Sequence, residues 1–282
     1  MTLKELIQRT ERRLKAARLH YGHGTDNPRN EAAFLVLRGL KLPFDADLNV
    51  DVDPKRVEHL LQSRIRERIP SAYLLNEAWL DGMAFHVDRR VIIPRSHIAF
   101  LLKDLRIAPR RILDLCTGSG CLAILAARAF PNARVDASDI SRAALAVAAR
   151  NVEKHRLKKR IRLIGSDFFA QLKGRYDLIL CNPPYVSTPS MRRLPREYRY
   201  EPGIALAGGR QGLDSVARIL DESPRFLNPG GLLVCEVGDN KAALERAYPR
   251  TAFIWPMPQV FMLAPSRTGG ASRKPSRRRR AT

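Results

Sequence analysis

Beginning at Arg111, short apolar or β-branched runs (RRILDL, RVDAS, IRLI, YDLILC, GLLVCEV) alternate with stretches of helical periodicity (LAILAARAF, RAALAVAARNVEKH, LDSVARIL). Consecutive strands separated by helices cannot close as tight hairpins, so they pair in parallel and the helices cover both faces of the sheet. The expected fold is therefore α/β, a Rossmann-like, doubly wound and mostly parallel sheet. Ligands of such sheets sit beyond the carboxyl ends of the strands.

The residues before this alternation read differently. Apolar positions Leu3, Leu6, Ile7, Leu14 and Ala17 have helical spacing, and the first helix is expected to run until Gly22 and Gly24 end it. Asn30 is expected to cap a second helix through Leu40, and Asp53-Pro54 to open a third through about Arg68. These elements define a small helical domain over residues 1–70. Residues 71–95 hold two β-compatible runs around Asp81-Gly82, a hairpin signal, and form a linker to a catalytic domain over 96–265.

At 282 residues and 45% apolar content the chain fills a substantial core, yet no run reaches the roughly 18–20 apolar residues of a membrane span. The N-terminus lacks the apolar centre of a signal peptide, so a cytoplasmic protein is expected. Cys116, Cys121, Cys181 and Cys235 lie in apolar segments without CxxC spacing, which suits reduced packing residues and no metal site. Fifty Lys and Arg against 28 Asp and Glu give +22. Seven of those cations fall in residues 266–282, a basic tail read as disordered, with nonspecific RNA contact expected of it.

ILDLCTGSGCLAIL places Asp114 at a strand end, Gly118 and Gly120 in a tight turn, and then a helix whose first N–H groups are free. Asp139, nineteen residues beyond Gly120, ends the next strand, where a carboxylate accepts ribose hydroxyls. An adenosine-type cofactor follows. Gly118, Gly120 and Ala123 also satisfy the dinucleotide fingerprint, so the loop alone leaves the cofactor open. Asp114, placed to hold the loop and the cofactor's amino-acid end, and Asp167-Phe168, placed to take the adenine amino group and ring, favour S-adenosylmethionine.

The strand YDLILC ends in Asn182-Pro183-Pro184-Tyr185. Prolines cannot donate to a ladder, so the turn offers free carbonyls, an amide side chain and a flat aromatic face. A planar NH2 group satisfies all three. Holding its hydrogens on the Asn182 side-chain oxygen and the Pro183 carbonyl aims the nitrogen and stabilises the positive charge it acquires when alkylated.

These motifs, with YGHGTDNPRNEA, SAYLLNEAWLDGMAFHVD, VIIPRSHI and EYRYEPGIALAGGRQGLD, resemble the class I methyltransferases that carry NPPY, and within them the N5-glutamine methyltransferases of translation proteins. The resemblance covers roughly residues 20–263. It implies a seven-stranded sheet, S-adenosylmethionine as cofactor, and an amide of a protein as methyl acceptor. NEAW, PRS and the cysteine of DLCTGSG look most like the branch that methylates a glutamine of the third large-subunit ribosomal protein; the release-factor branch is the rival. Carried over, the cofactor loop falls on Asp114, Cys116, Thr117, Gly118, Ser119 and Gly120, the ribose acid on Asp139, the amide clamp on Asn182 to Tyr185, and a site-lining residue on Arg95. Cys116 stands where the general signature has glycine, and FIWPMPQVFML lacks glycines and acids usual before the last strand.

Two other functions use the same residues. Adenine N6 and cytosine N4 are conjugated NH2 groups that the clamp could hold after base flipping, but no segment is large enough for a target-reading domain. A noncatalytic RNA-binding factor would be expected to have lost part of the loop or the clamp, and both are intact. His20 and His23 are expected to cap a helix or meet the substrate, and the helical domain to dock the protein substrate.

Overall fold

The computed structural model describes residues 1–264. The basic tail read from Ser266 onward lies outside the described residues.

Helix α1 (Leu3–Ala16) starts in a reciprocal cap, with Thr2 Oγ1 accepting from the Glu5 N–H at 3.2 Å and the Glu5 carboxylate from the Thr2 N–H at 2.9 Å. It ends well before Gly22. Arg18 takes the left-handed region, φ 47°, and its carbonyl is held by the Arg68 guanidinium at 3.0 Å, so a long-range bond replaces the glycine stop. In α2 (Pro28–Gly39) the cap is Asn27 rather than Asn30: Asn27 accepts from the Asn30 N–H at 2.8 Å, and Pro28 opens the helix. Helix α3 (Lys55–Gln62) runs into a π turn over Ser63–Glu67 and stops at Arg68, φ 67°. Leu3, Leu6, Leu14, Leu35, Val57 and Leu61 form the core these helices share.

A short α4 (Ser71–Leu75) leads into the hairpin β1 (Glu77–Leu80) and β2 (Met83–His86). Asp81 and Gly82 both have positive φ, 47° and 74°, the turn whose twist matches paired strands. Buried Asn151 ties this hairpin to the glycine loop: its carbonyl oxygen accepts from the His86 N–H at 2.7 Å, and its amide donates to the His86 and Ser119 carbonyls at 2.9 and 2.8 Å.

The remaining elements are α5 (Ile98–Leu101), β3 (Arg111–Leu115), α6 (Cys121–Ala129), β4 (Arg134–Asp139), α7 (Arg142–Lys154), β5 (Ile161–Gly165), β6 (Tyr176–Cys181), α8 (Thr188–Met191), α9 (Asp214–Phe226), β7 (Leu227–Glu236), α10 (Lys241–Ala247), β8 (Ile254–Met257) and β9 (Val260–Leu263). The seven strands lie in the order β5-β4-β3-β6-β7-β9-β8. The first five are parallel, and β9 inserts antiparallel between β7 and β8. FIWPMPQVFML, short of glycines, closes its hairpin through Pro258-Gln259. Strand order reverses between β3 and β6, so the carboxyl ends of these two strands flank the crevice where a doubly wound sheet binds ligands. Asp114 and the NPPY turn sit at those two ends.

Candidate active site

Three of the five residues after β3 adopt positive φ: Cys116 at 59°, Gly118 at 56° and Gly120 at 80°. Cys116 thus holds a left-handed conformation that glycine adopts without strain. A β-carbon on Gly120 would lie 3.1 Å from the Ala148 Cβ, so this glycine lets α6 begin against α7. One on Gly118 would meet nothing within 4 Å, which leaves that face of the loop open to a ligand.

Asp114 is buried beneath this loop. Its Oδ2 accepts from the Thr117 hydroxyl at 2.5 Å and the Ala123 N–H at 2.9 Å, while Oδ1 is buried with no partner. Burial pushes its carboxyl up to about 7. Asp139, ending β4, accepts from the Gly118 N–H at 2.9 Å and the Ser141 N–H at 2.8 Å, and burial raises its pKa as well. The Ser119 side chain is buried beside them.

Asp167 and Phe168, the expected adenine contact, meet Arg218 of α9. Both Asp167 oxygens accept from Arg218 at 2.9 Å, and the same guanidinium lies over the Phe168 ring at 4.7 Å. The pair is thus engaged by α9, a partner 51 residues away that the local motif does not announce.

At the end of β6, Tyr185 is enclosed by glycines. A β-carbon on Gly238 would come within 2.6 Å of its ring, one on Gly208 within 2.6 Å of its backbone, and one on Gly212 within 2.3 Å of its carbonyl oxygen. The Asn240 amide donates to the Tyr185 carbonyl at 2.8 Å, and the Tyr185 hydroxyl donates to Glu236 at 3.2 Å. Burial and the Glu236 charge raise the phenol pKa. Asn182 is half-buried, and among the described residues neither its side chain nor the Pro183 carbonyl makes a hydrogen bond.

Two buried carboxylates organise the surroundings: Glu236, which sequence reading did not assign, and Glu201, which lies in the EYRYEPG segment of the resemblance. Glu236, at the end of β7, accepts from the Ser96 hydroxyl at 2.6 Å, the His97 N–H at 3.0 Å and Tyr185, joining PRS to NPPY. Its hydrogen bond with the His97 ring, together with its charge, raises the His97 pKa. Glu201 accepts both arms of Arg95, at 2.5 and 2.7 Å, and the Ile93 N–H at 3.0 Å. The Arg95 guanidinium lies 5.5 Å from the Tyr198 ring centroid. His23 is not a cap or a surface residue. It packs against Tyr198 with ring centroids 4.4 Å apart, and burial lowers its pKa to about 4 despite the Glu201 carboxylate at 4.0 Å. His20 is exposed, and its N–H donates to Glu197 at 3.0 Å. A carboxylate motif local in sequence would have been visible; the hydrogen bonds of these carboxylates and of Glu197 span 51 to 177 residues.

All four cysteines are free, Cys181 and Cys235 being paired neighbours on β6 and β7. Among the described residues no group of three His, Cys, Asp or Glu side chains is arranged to hold a metal, and no helix is long and apolar enough to cross a membrane.

A seven-stranded sheet with one antiparallel strand, an open glycine loop over a buried acid with an unpartnered oxygen, and a second acid at the neighbouring strand end define a class I methyltransferase. The methyltransferase small domain model matches residues 97–193. The chain is 51% identical over 269 residues to the ribosomal protein uL3 glutamine methyltransferase of Bordetella pertussis, covering 90% of each, and 45% identical to that of Neisseria meningitidis serogroup B, covering 90% of this chain and 88% of the relative. Among solved structures, the hMettl16 catalytic domain in complex with MAT2A 3'UTR hairpin 6 shares the fold, with a TM-score of 0.50 and 18% identity, over 64% of this chain and 74% of that one. The chain belongs to the ribosomal protein uL3 glutamine methyltransferase family. The cofactor of this class is S-adenosylmethionine, and the orphaned Asp114 oxygen, the open face of Gly118 and Asp139 fit it.

Proposed function

We propose that this protein methylates the side-chain amide nitrogen of a glutamine in ribosomal protein uL3. The observation that carries the reading is the end of β6, where Asn182 and the Pro183 carbonyl keep their hydrogen-bonding capacity free beside a rigidly held Tyr185. In this reading Asn182 Oδ1 and the Pro183 carbonyl accept the two hydrogens of the substrate NH2, Pro184 fixes the turn, and Tyr185 lies against the amide plane. Bound S-adenosylmethionine supplies a sulfonium methyl group. Both acceptors stabilise the positive charge that forms as the amide nitrogen is alkylated, and the nitrogen then loses a proton to solvent without a dedicated base. Asp114, Cys116 to Gly120 and Asp139 hold the cofactor. Arg95, fixed by Glu201, lines the substrate side, and the helices of residues 1–70 dock the protein.

The names of the relatives support the substrate class. The test offers methyl-labelled S-adenosylmethionine with purified uL3, a release factor or unmodified RNA. Label on uL3, reduced by about 10²–10³-fold in Asn182→Ala with unchanged S-adenosylhomocysteine affinity, is the expected result. Label on the release factor or RNA instead overturns the substrate assignment.

A further inference from the structure

The segment from Met191 to Pro202 joins the NPPY turn to the Arg95 clamp, and its charges are sorted by direction. Glu197 and Glu201 are 2% and 5% exposed. Arg192, Arg193, Arg196 and Arg199 are exposed, and none forms an ion pair among the described residues. The inward acids are neutralised by buried Arg64 and half-buried Arg68 and Arg95: Glu197 lies 3.5 Å from Arg64 and 3.4 Å from Arg68, and Glu201 holds Arg95. A stretch with four arginines and two glutamates therefore presents only positive charge outward.

This segment is also held in shape. The His20 N–H donates to Glu197 at 3.0 Å, and the Tyr200 hydroxyl donates to the Glu67 carbonyl at 2.6 Å. Exposed Arg89 lies 4.7 Å over the Tyr200 ring, and exposed Arg18 is joined to the cluster through its carbonyl on Arg68. Like charges gathered on a rigid scaffold repel one another, and a polyanion compensates them. The spacing of several cations along one segment, with an aromatic ring beneath a guanidinium, suits a phosphodiester backbone with unstacked bases nearby.

We propose that this arginine rim binds RNA phosphates beside the active site, so that the protein engages its substrate in the company of RNA. The inference rests on the ribosomal-protein reading for its biological sense, but the surface itself is tested without any methyl transfer.

The experiment measures binding of a fluorescein-labelled 30-nucleotide single-stranded RNA to the full chain by anisotropy, across a range of salt concentrations. Wild type is compared with the fourfold variant Arg192→Gln, Arg193→Gln, Arg196→Gln, Arg199→Gln, and separately with Arg89→Gln. The basic tail is common to all three and supplies a shared background. Four lost phosphate contacts reduce the slope of log affinity against log salt by about 3 for a single strand, with a drop of about tenfold or more at 0.1 M salt. Arg89→Gln is expected to weaken binding by a smaller factor. Equal slopes and affinities for wild type and the fourfold variant, with matching circular dichroism, overturn the proposal. So does tighter binding of polyglutamate of equal charge than of RNA, which would assign the rim to an acidic polypeptide.

Discussion

Replacing Asp114 with asparagine separates what this residue does for the cofactor from what it costs the fold. In the folded protein its carboxyl is raised from 3.8 to about 7, chiefly by burial. The folded state therefore retains a proton that the unfolded chain releases, and stability falls as pH rises from about 4 through 7. At about 1.36 kcal/mol per pKa unit, the penalty reaches about 4 kcal/mol above pH 7. Asparagine keeps an acceptor for the Thr117 hydroxyl and the Ala123 N–H, and places an NH2 where Oδ1 is orphaned, at a cost of about 1–3 kcal/mol. Asp114→Asn is thus expected to be more stable than wild type by about 1–3 kcal/mol at pH 8, and less stable at pH 4, where the carboxyl is neutral in the folded state and only about half ionised in the unfolded chain, so that little of the penalty has developed. Urea unfolding of the ligand-free full chain at pH 4, 6 and 8 reads the crossing, and calorimetry with S-adenosylhomocysteine reads the accompanying loss of affinity. Parallel stabilities across that pH range, or a variant weaker than wild type at pH 8, refute a desolvated carboxylate at this position.

Glu236→Gln leaves one acceptor oxygen for donors that now share two, and removes the charge that strengthens them, so urea unfolding should show a loss of about 2–3 kcal/mol together with reduced methyl transfer. A variant within about 0.5 kcal/mol of wild type would remove Glu236 as the link between Ser96 and Tyr185. Gly238→Ala drives a methyl into the Tyr185 ring from a backbone at φ 55°; methyl transfer should fall about 10–100-fold with S-adenosylhomocysteine affinity preserved, measured by label incorporation and calorimetry. His23, whose pKa is lowered to about 4, must take up a proton on unfolding, so it removes about 2 kcal/mol of stability between pH 7 and pH 5. Because Asp114 acts in the opposite direction over that range, the effect is read as the difference between wild type and His23→Phe, whose curve should lie above wild type by more at pH 5 than at pH 7.

The sheet was legible because each strand announces itself locally: five apolar runs, most of them separated by helices, place Asp114 and Asn182 at strand ends once parallel pairing is assumed. The Asp81-Gly82 turn was legible for the same reason, since two residues fix its backbone. What failed was decided at a distance. The end of α1 was set by Arg68 rather than by Gly22. The cap of α2 failed locally, because Asn27 before Pro28 and Asn30 two residues after it both suit a helix start. Glu236 carries no motif, and the segment that holds Glu201 does not say which partners it meets. Their importance lies in being buried carboxylates with several donors, a property of the folded chain that a string of residues does not display.

The strap from Glu197 to Glu201 also sets a limit on how this protein can be divided. Its first carboxylate draws on the backbone of His20 and the side chains of Arg64 and Arg68, and its second on Ile93 and Arg95. Cutting the chain near residue 70 would leave Glu197 buried without its donors, and the amino-terminal piece with Arg64 facing Glu31 alone. A catalytic fragment cut there would keep every residue of the glycine loop and the proline turn, yet it would carry a buried carboxylate stripped of its partners beside them.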